Sequence, residues 1–175
     1  MPITLDKPAI STLKTYKIIT DFEYTYFALR HLKDPANSTQ LINTDQFEMD
    51  WGVTNTNLLR YLQSLEAKKV LKITPTSLTV NWGQLESTTI SRDEVLSMKK
   101  DGLINQTTYV YYALLLNKGA GLNQPVNPDN FSVAPWSITP STLLQELTNI
   151  SQKINDDGSK VITLDLTNIS VVWLM

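Results

Sequence analysis

Cysteine is absent from the 175-residue chain, and histidine occurs once, at His31. The first absence excludes disulfide frameworks and thiolate zinc sites. The second removes any imidazole pair. His31, in Arg30-His31-Leu32-Lys33-Asp34, reads as a helix-surface residue instead of a metal ligand or general base. No run approaches the roughly 20 apolar residues of a membrane span, and the N-terminus Met1–Ile10 has no apolar signal core. The expectation is a cytoplasmic protein without membrane contact. Charge is also scarce: charged residues make up 18% and the formal net charge is −2, so no excess of either sign points to a partner. Glycine is thin on the ground, and Gly119-Ala120-Gly121 follows an apolar helical stretch where a phosphate loop would precede one. It reads as a helix stop. The acidic pairs Glu48/Asp50 and Asp156/Asp157 lack the ligand spacing of a calcium loop. No acid, base, nucleophile or metal set converges anywhere, so the sequence points away from an enzyme and implies no metal, no cofactor and no identifiable small-molecule substrate.

What the chain does have is a repeat. Asn43, Asp45, Phe47, Trp51, Thr54, Leu58, Leu59 and Leu62 are answered by Asn127, Asp129, Phe131, Trp136, Thr139, Leu143, Leu144 and Leu147. Upstream, Leu5, Lys7, Ile10, Leu13, Lys14, Ile18 and Ile19 meet Ile90, Arg92, Val95, Met98, Lys99, Leu103 and Ile104 at one constant offset, that between Tyr24 and Tyr109. The two asparagines read as helix N-caps, since Pro128 follows where a missing N–H costs nothing and Asp45 and Asp129 suit the positive helix end. Thr54 and Thr139 repeat the device ahead of Leu58, Leu59, Leu62, Leu65 and Leu143, Leu144, Leu147, Ile150, whose spacing predicts a longer helix with its leucines inward. Trp51-Gly52 and Trp136-Ser137 mark a tight corner between the two helices. The sequence Thr20-Asp21-Phe22-Glu23 resembles a capping box ahead of Tyr24, Tyr26, Phe27, Ala28 and Leu29, a helix predicted to fill much of the core. Its tyrosines, with Tyr109 and Tyr111, are expected in the core or at its edge with their hydroxyls reaching water.

Each copy then closes with a hairpin. Val70–Ile73 and Leu78–Trp82 flank one turn, and Val161–Leu164 and Ile169–Trp173 flank another. Trp51, Trp136, Trp82 and Trp173 recur at matching positions, which fits packing better than base stacking. The order is a short extended lead-in, three helices and a hairpin. The fold class is therefore α+β: two tandem winged-helix-like domains arisen by internal duplication, residues 1–83 and 84–175, with a boundary near Gly83 to Glu86. The lead-in strands are expected to join the hairpins in one small sheet per domain.

With Ile90–Leu116, ISRDEVLSMKKDGLINQTTYVYYALLL, and the helix-turn-helix and hairpin that follow, the whole chain resembles the tandem winged-helix domains of bacterial plasmid replication initiators and phage replisome-organiser proteins. That resemblance implies contact between the third helix and the major groove of double-stranded DNA, with the hairpin wing near the backbone. It implies a role in replication or transcription control. The polar face of the first such helix would carry Thr56, Asn57, Arg60, Gln63 and Ser64, with Lys68, Lys69 and Lys72 alongside; Asn, Gln and Arg can read adenine and guanine edges. The second face, Ser141, Thr142, Gln145, Thr148 and Asn149, keeps only Lys153 and Lys160 nearby, with Asp156 and Asp157 between them, and suits a protein partner or homodimer. Charge departs from the family pattern. The first copy has as many acidic as basic residues, and the turns Thr74–Ser77 and Asp165–Asn168 lack positive charge. The alternative is therefore a protein–protein adaptor, a winged-helix docking module that does not touch DNA.

Overall fold

The computed structural model describes residues 3–34, 36–74, 78–82, 89–118, 123–155, 162–165 and 170–173. In chain order the elements are β1 (Ile3–Thr4), α1 (Lys7–Thr15), α2 (Asp21–Leu32), β2 (Thr39–Leu41), α3 (Thr44–Trp51), α4 (Asn55–Ala67), β3 (Lys72–Thr74), β4 (Thr79–Asn81) and β5 (Thr89–Ile90). There follow α5 (Arg92–Lys100), α6 (Gln106–Leu116), β6 (Asn123–Pro125), α7 (Pro128–Ser132), α8 (Pro140–Asn155), β7 (Ile162–Asp165) and β8 (Ser170–Trp173). The fold is mixed α+β with small antiparallel sheets. Two compact units divide the chain: residues 4–10 and 21–89 in one, residues 1–3, 11–20 and 90–175 in the other. The sequence boundary at Gly83–Glu86, the stop at Gly119–Gly121, the acidic pair Asp156/Asp157 and most of both hairpin turns lie outside the described residues.

The helix starts follow from short polar side chains. Asn43 accepts from Gln46 N at 3.0 Å, Asn127 from Asp129 N at 3.0 Å, and Thr54 and Thr139 accept from Asn57 N and Thr142 N, both at 3.3 Å. Each removes one otherwise unpaired amide at a helix end. Pro128 and Pro140 open α7 and α8, where their missing N–H is not needed. The stops are equally local. In α1, α4 and α5 the chain ends on paired bonds, such as Val70 N to Leu65 O and Lys69 N to Glu66 O, with a residue at positive φ: Lys17, Lys69 and Gly102.

In the unit that holds α2, Tyr24 donates its hydroxyl to the Trp51 carbonyl at 2.7 Å and meets the indole edge-on, with centroids 5.9 Å apart. In the other unit Tyr109 treats Trp136 the same way, at 2.6 Å and 5.8 Å. These hydroxyls thus bond to the helix corner, not to water as the sequence suggested, because all four tyrosines are drawn under the surface. Burial pushes the Tyr109 and Tyr111 phenols up from their ordinary value. Trp82 is wholly buried and Trp136 nearly so, while Trp51 is half-buried. The side chain of Trp173 lies outside the description.

Three expectations need correcting. The lead-in strands do not join the hairpins: β1 pairs with β5, and each hairpin takes its third strand from the segment just before α3 or α7, giving the orders β2-β4-β3 and β6-β8-β7. Gln40 and Gln124 anchor these added strands by donating to the Leu32 and Leu114 carbonyls at 3.0 and 3.1 Å, and the indole N–H of Trp82 donates to Gln40 at 3.1 Å. Leu59 and Leu144 are not inward; they are 43% and 37% exposed. One residue past Leu58 or Leu143 is about 100° around the helix, so the row Leu58, Leu62, Leu65 fills the interior and its neighbour falls on the flank. Finally, His31 is half-buried: its ring lies 5.5 Å from that of Trp51 and its Nε2 meets the Leu5 carbonyl.

Candidate nucleic-acid interface

The helix α4 owes its orientation to its apolar row. With Leu58, Leu62 and Leu65 fully buried, Thr56, Arg60 and Gln63 are exposed and Asn57 and Ser64 are half-buried. The residues predicted for the first reading face are thus on the accessible side of one helix. Its chemistry is partly committed. Arg60 Nη2 donates to Asn57 Oδ1 at 3.0 Å and to Tyr61 Oη at 3.2 Å, with the guanidinium carbon 4.9 Å from the Tyr61 ring centroid. The group is held by neighbours on its own helix. Its Nη1 and Nε protons remain for a ligand, and a two-pronged grip on a guanine requires one Nη2 bond to be released.

The lysines lie apart from Arg60. Lys68 caps the C-terminal end of α4, Lys69 follows at φ 62°, and Lys72 opens β3; all three are exposed. Lys68 is eight positions beyond Arg60, about 12 Å along the axis at 1.5 Å per residue. The hairpin is clamped beside them, since Ile73 N donates to the Glu66 carboxylate at 2.6 Å. In front of α4, the exposed carboxylates Asp45, Glu48 and Asp50 of α3 set negative charge near the same helix. Asn55 Nδ2 reaches Asp45 at 3.3 Å, and Gln46 donates to Asp50 at 3.0 Å.

On α8, Ser141 and Gln145 are exposed, whereas Thr142, Thr148 and Asn149 are half-buried. Thr142 and Thr148 turn their hydroxyls to their own helix: Thr142 Oγ1 accepts from Thr139 at 2.9 Å, and Thr148 donates to the Leu144 carbonyl at 2.9 Å. Of these two hydroxyls only that of Thr148 is spent as a donor, since Thr142 accepts and keeps its own proton. Near the second face, Lys153 donates to the Lys17 carbonyl at 2.9 Å, and Lys160 lies outside the described residues. Sequence reasoning passed over Tyr61, which orders Arg60, although its place directly after the arginine was the signal. It also passed over the exposed apolar pairs Met49/Leu59 and Val133/Leu144, which stand at matching positions around the two helix corners.

Among the described residues, no group of three or more His, Cys, Asp or Glu is placed to hold a metal ion, and no helix is long and apolar enough to cross a membrane. No protein-family model, curated protein or solved structure matches the chain.

Proposed function

We propose that the chain is a tandem pair of winged-helix units, and that the first is a non-enzymatic reader of double-stranded DNA in replication or transcription control. Supporting the architecture, the sequence of elements α2-β2-α3-α4-β3-β4, with its strand order β2-β4-β3, recurs as α6-β6-α7-α8-β7-β8 with order β6-β8-β7. The observation that carries the function is the accessible side of α4, where Thr56, Arg60 and Gln63 stand free of the core and Lys68, Lys69 and Lys72 follow at its end. Polar groups that can read base edges and cations that can hold phosphates occupy one continuous stretch of chain.

The binding follows from counterion release. If all four cations displace condensed counterions, affinity falls by roughly 100-fold between 50 and 200 mM salt, and the carboxylates of α3 reduce the affinity without adding to the slope. The test is fluorescence anisotropy with duplex DNA across that salt range. Arg60→Ala should weaken binding by about 10-fold or more, while Gln145→Ala should leave it unchanged. Absence of binding at 50 mM salt would overturn the reading. The exposed Met49, Leu59, Val133 and Leu144 favour a second reading, a docking module for protein, and that is the reading an absence of DNA binding would leave standing.

A further inference from the structure

The free edge of the β2-β4-β3 sheet is chemically unlike the matching edge in the other unit. The register of β2 on β4 sets Gln40 opposite Val80, with flanking bonds from Trp82 N to Ser38 O and from Ile42 N to Leu78 O. Alternate residues of an antiparallel strand bond to the same neighbour, so Ser38, Gln40 and Ile42 direct their backbone groups to β4. Those of Thr39 and Leu41 point away from the sheet, and among the described residues they meet no partner. Thr39 is exposed, and the Leu41 side chain is 67% exposed. No charged residue stands between Asn37 and Asn43.

Open edges are normally blunted by a lysine, a proline or a covering segment. The β6 edge has such a device. Pro125 follows Gln124 as Leu41 follows Gln40, and a proline has no N–H to give. One sheet therefore carries the protection that the other lacks.

We propose that β2 is a self-association site at which Thr39–Leu41 of one copy pairs antiparallel with Thr39–Leu41 of a second. With the two Gln40 residues facing each other, Thr39 of each copy meets Leu41 of the other as a bonded pair. Four backbone hydrogen bonds form, and every outward N–H and C=O of both strands is used. Each Leu41 side chain then lies beside the partner's Thr39 on the same face of the joined sheet, which covers its exposed apolar surface. A second copy is the occupant because the uncharged strand meets itself without like-charge repulsion and the two-fold contact closes on itself. Three residues supply few bonds, so the dimer dissociates on dilution. This inference does not depend on DNA binding.

Sedimentation equilibrium of the full chain across the micromolar range tests it. Wild type is expected as a concentration-dependent dimer. Leu41→Pro removes an N–H that β4 does not use, so it should give a monomer with unchanged far-UV circular dichroism and melting. Leu41→Lys keeps the N–H but brings like charges into the joint, and should raise the dissociation constant at least tenfold; it decides the matter if the proline variant does not fold. Because the chain has no cysteine, a mixture of Thr39→Cys and Leu41→Cys proteins reports the register directly. Bonded antiparallel pairs bring Cα atoms to about 5.5 Å, within disulfide reach, so the mixed 39–41 cross-link should exceed both like-with-like products. A wild type that stays monomeric, a dimer indifferent to both Leu41 variants, or no excess of the mixed cross-link would overturn the proposal.

Discussion

The same joint is built with opposite chemistry in the two units. Where α2 meets α4, Phe22 and Tyr61 pack edge to face with centroids 5.6 Å apart. Where α6 meets α8, the residues two before Tyr109 and one before Leu147 are Thr107 and Glu146, and the threonine donates to the glutamate at 2.6 Å. Glu146 is only 8% exposed. An aromatic contact in one unit is thus a part-buried hydroxyl–carboxylate bond in the other, with the surrounding helices, caps and strand order alike. Geometry at this joint is set by the apolar rows on either side of it, and the joint residues are free to vary provided that each polar group is satisfied. The helix corners differ in a second way. Both tryptophan carbonyls accept a tyrosine hydroxyl, yet Trp136 is buried whereas Trp51 is half-buried, with Phe47 and His31 beside it and Lys7 Nζ 4.8 Å from its ring.

The largest expected effect breaks this second contrast. Trp136→Ala should cost about 3–5 kcal/mol, the usual loss for a large buried aromatic, because that residue is only 5% exposed. Trp51→Ala should cost nearer about 2 kcal/mol, since that residue is less completely buried and Lys7 lies over its ring. Two units need not unfold together, so the measurement is native-state amide exchange read separately at α4 and α8, beside urea melts. Equal losses for the two variants would show that the two corners are buried alike.

A smaller effect tests the joint. Thr107→Val leaves the Glu146 carboxylate without the one bond it makes among the described residues, and should cost about 1–3 kcal/mol. Replacing both partners with the pair from the other unit, Thr107→Phe with Glu146→Tyr, should recover most of that loss, because no buried polar group is then stranded. If the single variant is as stable as wild type in urea, the carboxylate is adequately hydrated and the contrast between the joints has no energetic content.

These contrasts also mark what could be read from the chain. Helix starts were legible at Asn43, Thr54, Asn127 and Thr139, because a capping side chain acts on an amide two or three residues away and needs no tertiary partner. The recurrence of Tyr24 and Trp51 as Tyr109 and Trp136 was legible, but neither the contact between tyrosine and tryptophan nor the bond between hydroxyl and carbonyl was. The strands β2 and β6 were missed because three polar-leaning residues show no alternation long enough to stand out. The flank position of Leu59 and Leu144 was missed for a related reason: adjacent leucines both fit an apolar stripe, and only the packed neighbours choose between them. At the candidate interface, the polar residues of α4 were legible by periodicity. What they are doing was not: Arg60 is tied to Asn57 and Tyr61, and the α3 carboxylates stand nearby only because the chain folds back at Gly52.

The smallest expected effect lies in that corner itself. Gly52 and Ser137 occupy the same place, each just past a tryptophan and each at positive φ, 70° and 52°. Each donates its N–H to a carbonyl four residues back, Glu48 at 2.8 Å and Val133 at 3.0 Å. A Cβ added at Gly52 meets nothing within 4 Å, so Gly52→Ala should cost only the left-handed backbone penalty, about 1 kcal/mol. Ser137→Gly should relieve that penalty but give the unfolded chain more freedom, so the net gain is about 0.5 kcal/mol or less. Paired melts of the two variants measure the same torsion from opposite directions. A gain at Ser137 as large as the loss at Gly52 would mean that the serine side chain contributes strain of its own; a loss at Ser137 would mean that its side chain holds the corner in a way that Gly52 has no atoms to do.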